Sequence, residues 1–137
     1  LGLQMSQNIA TIKIHLQQVQ ELELQRNEAV KERLHNQVKK WSEDIKIEEE
    51  RLASEILFYL DRMDITEEKT RLNQHCSFFM DSLNEVNGGK KLGFICQEMG
   101  REINTLGNKA NFFEMQKLCV EMKEELEKIK EQVLNIL

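Results

Sequence analysis

The chain has 137 residues, enough for one domain with a modest core; 31% of them are charged and 40% are hydrophobic. It contains no proline and no apolar run near the ~18 residues that a membrane-spanning helix needs. Composition therefore excludes a transmembrane protein and favours long, uninterrupted helices. The formal net charge is −5 and no segment is basic, so the chain alone has little electrostatic attraction for nucleic acid.

The chain begins at Leu1 rather than at methionine, and its opening lacks the basic and apolar segments of a signal peptide. We therefore expect a piece of a longer, cytoplasmic protein. Three cysteines, Cys76, Cys96 and Cys119, lie at apolar positions and form no CxxC pair. We interpret them as reduced thiols in the core.

The first predicted element is one long amphipathic helix, from about residue 3 to residue 41. Its apolar residues recur at steps of three and four, loosen, and then resume, which is typical of a coiled-coil seam with a register shift near Gln25 and Arg26. We interpret residues 1–46 as an amphipathic linker or assembly helix. The seam residues are Met5, Ile9, Ile12, Leu16, Val19, Val30, Leu34, Val38 and Trp41.

Two shorter amphipathic helices are predicted next, over residues 47–63 and from about residue 64 to residue 84. Asp64 or Thr66 can cap the start of the third helix, and Glu67 stands three residues after Asp64. The predicted core residues are Leu52, Ile56, Leu60 and Met63 on the second helix and Leu72, Cys76, Phe79 and Leu83 on the third.

The pattern then predicts a loop over residues 87–90, a fourth helix over 91–106 that ends at Gly107, and a capped fifth helix that starts near Asn111. No stretch shows the alternation of a strand. We therefore predict an all-α fold of long antiparallel helices, a helical hairpin or bundle with coiled-coil-like seams. The core residues are Leu92, Ile95, Met99, Ile103 and Leu106 on the fourth helix, and Met115, Cys119, Met122, Leu126, Ile129, Val133 and Ile136 on the fifth.

The third and fourth predicted helices carry polar residues beside their apolar stripes. Glu68, Arg71 and His75 fall within about 60° of one another at 100° per residue. Glu98 and Glu102, four residues apart, project side by side, which raises the proton affinity of each unless a cation lies between them. Flanking residues of these types are usually solvated boundary positions. If the two helices pack as neighbours, however, the flanks form a cleft with acid–base and cationic groups suited to phosphodiester chemistry.

Three stretches of the chain resemble the YicC/YloC family of bacterial endoribonucleases. The resemblance covers residues 47–137 in order and without large gaps, whereas residues 1–46 correspond only loosely to the helical segment that precedes this domain. The stretches are residues 64–68 followed by Arg71, Leu72 and His75, the long run of residues 91–110, and the closing helix over residues 121–133.

The resemblance implies that residues 47–137 form the C-terminal helical domain of a bacterial cytoplasmic protein about twice as long. It implies a missing N-terminal α/β domain of the same chain and assembly as a ring-like hexamer, a homo-oligomer that encloses RNA. It further implies endoribonuclease activity with a divalent metal, Mg²⁺ or Mn²⁺, and no membrane association. We expect the isolated piece to be inactive or nearly so.

Carried over by position, the resemblance implies two sets of site residues. The carboxylates and the histidine are assigned to catalysis, with Glu98 and Glu102 as the metal ligands or the acid–base pair. The remaining residues are assigned to holding RNA phosphates. The catalytic set is Glu68, His75, Glu98 and Glu102, with Glu67 beside it, and the RNA-binding set is Arg71, Lys91, Gln97, Arg101, Asn104 and Lys109.

The chain departs from the family pattern at three positions and leaves a second function open. Gly93 replaces an aspartate, which puts a site of three carboxylates in doubt; Gly100 replaces an asparagine, and Asn108 replaces a serine. The alternative function is an oligomerisation and clamp module with no catalytic role of its own. A plain coiled-coil scaffold explains the heptads but not the polar cluster over residues 97–109.

Overall fold

The computed structural model describes residues 2–41, 49–85 and 88–136, and these fold into a helical bundle. No strand occurs among the described residues, so the predicted all-α class is confirmed. The helices are α1 (Gly2–Trp41), α2 (Glu49–Arg62), α3 (Thr66–Ser82), α4 (Gly89–Ala110) and α5 (Phe113–Ile136).

The core is built where α4 packs between α3 and α5 while the first half of α1 lies against α5 and α3. Most of the predicted seam residues are buried there because the steps of three and four keep them on one face of each helix. Leu34, Val38, Leu52, Leu60 and Leu83 are only half-buried, and the side chain of Trp41 lies outside what the structure describes. Ile136 is 46% exposed, against the prediction, because it lies at the level where α4 begins and little chain covers it.

The predicted register shift in α1 is wrong. From Val19 the steps of four and three continue through Glu23 and Arg26 to the buried Val30, so two charged residues occupy seam positions. Arg26 is 1% exposed. The apolar pattern did not predict this part of the seam because the two charged residues have their partners on other helices, and a local pattern contains no information about those partners.

Several predicted helix ends are also wrong. The helix α4 starts earlier than predicted, at Gly89, and runs through Gly107 to Ala110. Gly107 lies within the helix, and a β-carbon there would make ordinary contact with Cβ of Cys119 on α5, at 3.6 Å. Asn111 does not cap α5: it ends α4 in the left-handed conformation, at φ 44° and ψ 36°, which asparagine tolerates better than most residues.

The predicted cap of α3 by Asp64 or Thr66 is wrong, because Ile65 is the N-cap residue and makes no side-chain capping bond, and Asp64 lies one position before it. Oδ1 of Asp64 accepts hydrogen bonds from the backbone N–H of Thr66, at 3.0 Å, and from its hydroxyl, at 2.6 Å. These bonds stabilise the carboxylate and lower the pKa of Asp64. The predicted start of the second helix at residue 47 and of the loop at Asn87 lie outside the described residues. The division of the chain at residue 46 stays a prediction.

The three cysteines are free and buried, as predicted for core thiols. Burial disfavours the thiolate and raises the pKa of Cys76 to about 12 and those of Cys96 and Cys119 to about 11. None of the helices in the described part of the chain has the length and apolarity to cross a membrane.

Candidate functional site

The polar flanks of α3 and α4 face each other along one side of the bundle. The two helices run antiparallel, and side chains of one are paired with side chains of the other at two levels. The convergence that the sequence left conditional is therefore present. We call this row of residues the polar ladder; it consists of Glu67, Glu68, Arg71, His75, Glu98, Arg101, Glu102 and Lys109.

The first rung joins Glu68 and Lys109. Nζ of Lys109 donates to Oε1 of Glu68 at 2.7 Å, to its Oε2 at 3.5 Å and to the backbone carbonyl of Asp64 at 3.3 Å. The Glu68 side chain is 1% exposed, while Lys109 is 37% exposed. Because an unpaired carboxylate is costly to bury, this pairing fixes the ammonium group at the edge of the ladder.

The second rung joins Arg71 to two carboxylates. Nε of Arg71 donates to Oε1 of Glu102 at 2.9 Å, and Nη1 donates to Oε2 of Glu67 at 3.2 Å. The bond to Glu102 is the main reason why the pKa of Arg71 is raised. Glu102 is 12% exposed and Arg71 about half exposed, so the guanidinium covers the carboxylate and presents its outer edge to solvent.

The third level of the ladder holds Glu98 and His75. Nε of Arg101 lies 3.7 Å from Oε1 of Glu98, whose side chain is 26% exposed. The antiparallel register that sets Arg71 beside Glu102 brings the half-buried His75 to the level of Glu98. This end of the ladder is the more open one, with a carboxylate and an imidazole at the surface.

The two neighbouring carboxylates of α4 do not share one cation. Glu98 is beside Arg101 and Glu102 is bonded to Arg71, so each charge is balanced separately. Among the described residues, no three His, Cys, Asp or Glu side chains come together as a metal-binding group. A divalent ion on this carboxylate pair would have to displace both arginines. The arrangement of these carboxylates therefore does not fit the predicted divalent metal.

Three of the predicted RNA-binding residues lie away from the ladder. Lys91 lies about 16 Å from Glu102 along α4, where its ammonium group contacts Glu85 at 3.0 Å and the ring of Phe78. Gln97 lines an apolar groove between α4 and α5, and Asn104 is exposed on the outer face of α4.

Sequence reasoning missed two charged residues of α1 that support the ladder. Nζ of Lys69 on α3 donates to Oε2 of Glu23. Nη1 of Arg26 donates to the carbonyls of Lys109 and Ala110 at 3.3 and 3.4 Å, where the last carbonyls of α4 lack helical partners. Burial lowers the pKa of Arg26. Continuing the heptad from Val19 would have identified both positions.

The sequence is similar to those of known proteins. Residues 19–137 match the family model described as "Endoribonuclease YicC-like, C-terminal". The chain belongs to this family. The match begins inside α1, so it includes the two charged seam positions of that helix as well as the ladder.

Two curated relatives carry the same name. The chain is 34% identical to the "Probable endoribonuclease YicC" of Clostridioides difficile strain 630, over 98% of this chain and 48% of the relative. It is 31% identical to the protein of the same name from Haemophilus influenzae Rd, over 67% of this chain and 32% of that relative. The chain thus spans about half the length of the former and about a third of the latter.

Proposed function

We propose that this chain is the C-terminal helical part of an endoribonuclease that cleaves RNA phosphodiester bonds, and that the polar ladder takes part in the cleavage. The observation that carries this proposal is the Arg71–Glu102 pair, which joins the two predicted polar flanks across the α3–α4 interface. Family membership and the names of the relatives support the reaction class. In this proposal the whole protein is cytoplasmic, a location in which buried thiols such as these three stay reduced.

The ladder holds the kinds of group that the reaction needs. In cleavage, an oxygen nucleophile forms a new bond to phosphorus, the bond from phosphorus to the 5′-oxygen breaks, and a proton passes from the attacking to the leaving oxygen. Glu98 and Glu102 are the carboxylates that accept and return this proton, and His75 relays it. Glu98 and His75 are half-buried, and Glu102 lies beneath the guanidinium of Arg71 with 12% of its side chain exposed.

The cations of the ladder bind phosphate oxygens in this proposal. Arg101 is 75% exposed and, among the described residues, makes only the long contact with Glu98, so its guanidinium can form a bidentate pair with a phosphate. Arg71 and Lys109 add positive charge at the two rungs. In this proposal RNA also contacts α4 away from the ladder, at Lys91, Gln97 and Asn104.

Glu68 has a positioning role in this proposal. Its carboxylate is buried and both its oxygens face Lys109, so it contacts no bound phosphate. It holds the lysine at a fixed place and balances its charge.

The direct test is single-turnover cleavage of a single-stranded RNA by the whole protein that carries this chain. We expect Glu102→Gln to slow cleavage by about 10²-fold or more, since a proton-transfer group contributes at least that factor, while the amide keeps an acceptor for Arg71. The matched control is Glu124→Gln, an exposed glutamate on α5, which should leave the rate unchanged. Equal rates for both variants would contradict the proposal, and parallel reactions in EDTA, Mg²⁺ and Mn²⁺ test the predicted metal dependence.

A second function, assembly with other chains, is favoured by apolar side chains that the described residues leave exposed. On α2, Leu57 is 67% exposed and Phe58 is 61% exposed on adjacent positions. In this proposal α2 packs against another copy of the protein in a homo-oligomer. Light scattering of Leu57→Ser should then give a smaller mass than the parent protein, whereas an unchanged mass would remove α2 from the interface.

A further inference from the structure

A second polar surface lies on the other flank of α3, opposite the polar ladder. There α3 and α1 leave a groove of about 480 Å³. We call it the α1–α3 groove. It is lined by Lys13, Leu16, Gln17 and Gln20 of α1 and by Thr66, Lys69, Thr70, Asn73 and Gln74 of α3.

The residues that line this groove are polar apart from Leu16, and they include two lysines. Two carboxylates lie at one end of it: Glu23 is bound to Lys69, and Asp64 accepts hydrogen bonds from Thr66. Lys13, at the other end, makes no ion pair within the described residues. The end of the groove at Lys13 therefore favours an anionic group.

The groove is also rich in carboxamides. Within the part of the chain that the structure describes, the amides of Gln17, Gln20, Asn73 and Gln74 make no hydrogen bond to protein. Glutamine and asparagine amides donate and accept together, which lets them pair with the edges of nucleobases. The buried Leu16 gives the groove an apolar floor on which a base can lie.

We propose that the α1–α3 groove binds one nucleotide of a single-stranded RNA segment, with Lys13 on the phosphate and the amides on the base. A base reaches a groove between two helices only when it is unpaired, so the segment beside the cleaved bond must be single-stranded. This inference rests on the proposed function and adds to it the class of RNA and the place where it is held.

The position of the groove relative to the ladder fits this role. Both surfaces use α3: Thr70 and Gln74 border the groove, while Arg71 and His75 belong to the ladder. The exposed ridge between them is one helix wide, about 10 Å. A strand that crosses α3 therefore reaches the groove with one nucleotide and the ladder with a neighbouring phosphate.

The experiment measures binding of a fluorescent single-stranded oligoribonucleotide, and of the same sequence in a duplex, to the whole protein. We expect Lys13→Gln to weaken single-strand binding by roughly 5-fold at low salt for every sequence, and to lower the salt slope by about 1. The matched control is Lys31→Gln on the same helix, which removes an equal charge outside the groove and should change binding by less than 2-fold. Gln20→Ala with Asn73→Ala should instead change which bases are preferred.

The outcomes separate this inference from the proposed function. If Lys13→Gln and Lys31→Gln bind alike, the groove is not an RNA site, whatever the cleavage assay shows. Equal loss of duplex binding would contradict the single-strand assignment. If Lys13→Gln weakens binding but leaves the cleavage rate at saturating protein unchanged, the groove binds RNA and the ladder takes part in the cleavage. If Lys13→Gln weakens binding but Glu102→Gln does not slow cleavage, the groove binds RNA and the ladder has no role in cleavage.

Discussion

The two interfaces of α4 differ in what fills them. Towards α5, α4 presents an apolar seam, in which a β-carbon on Gly100 would make ordinary contact with Cδ2 of Leu126, at 3.5 Å. Towards α3, the apolar stripe is edged by the ladder, with Glu68 fully buried and Glu102 nearly so. The α4–α5 interface therefore consists of apolar packing, whereas the α3–α4 interface also buries charged groups.

This difference indicates what each interface is for. Apolar packing stabilises a bundle directly, by roughly 25 cal/mol for each Å² of apolar surface buried. A buried ion pair contributes little net stability, because desolvation offsets most of the attraction between the charges. Stability alone would favour apolar residues at Glu68 and Glu102. The α4–α5 seam therefore stabilises the fold, whereas the ladder is the part of α4 to which our proposal assigns the chemistry.

The largest effect that we expect concerns the buried thiols, which lie on both sides of α4. With the pKa of Cys76 at about 12 and those of Cys96 and Cys119 at about 11, against 9.0 for a free thiol, the folded protein holds few thiolates at pH 8. Reaction with an aromatic disulfide should therefore be at least about 10²-fold slower than in the unfolded chain. Fast reaction of any one cysteine would mean that its interface opens.

The same shifts predict how stability depends on pH. Above pH 9 the unfolded chain loses its thiol protons, while the folded chain keeps them up to about pH 11. The folded state then binds more protons, so the free energy of unfolding must fall as pH rises through this window. Urea titrations at pH 8 and 10 test this, with a triple Cys→Ala variant as the control that should lose the dependence.

Next in size is the loss of packing in the α4–α5 seam. Leu126→Ala removes a side chain that is 1% exposed and touches Gly100, and it should lower the free energy of unfolding by about 3 kcal/mol. Urea denaturation followed by circular dichroism measures this change. A loss under 1 kcal/mol would show that the seam is not the main source of stability.

A smaller loss is expected at the first rung of the ladder. Lys109→Met leaves the buried carboxylate of Glu68 without its cation and should lower stability by roughly 2 kcal/mol. Adding Glu68→Leu removes the stranded charge, so the double variant should regain most of that loss. If the double variant is no more stable than the single one, the rung contributes through packing and not through charge pairing.

The smallest effect is a gain at Gly100. Alanine there makes ordinary contact with Leu126 and Lys130, and a β-carbon stabilises a helix interior. Gly100→Ala should therefore raise the free energy of unfolding by up to about 1 kcal/mol. Destabilisation would show that α4 and α5 need a closer approach than the structure indicates.

The sequence predicted the features that local periodicity determines. The helical class, the helices and the stripes of α4 and α5 up to Val133 follow from apolar spacing and are observed. Periodicity failed at Arg26, where the reason for the residue lies on another helix, since the last carbonyls of α4 accept hydrogen bonds from the guanidinium. The expectation that glycine ends the helix failed at Gly107, because α4 continues through it to Ala110.

The candidate site could be predicted only as far as the spacing of residues within one helix determines it. Spacing placed Glu68, Arg71 and Glu102 on two flanks, but the partners across the interface became known only from the packing of α3 on α4. The α1–α3 groove had no sequence signal, since its amides come from two distant segments and follow no short motif. The catalytic, RNA-binding and metal roles given to the ladder residues stay predictions.

The measurement that tests the central claim most directly combines stability and cleavage in one variant. Arg71→Met with Glu102→Met replaces the second rung by apolar side chains of similar length, and the whole protein should keep its free energy of unfolding within about 1 kcal/mol. Its single-turnover rate on single-stranded RNA should fall by about 10²-fold or more. Stable protein with a normal cleavage rate would contradict a role for the ladder in the reaction.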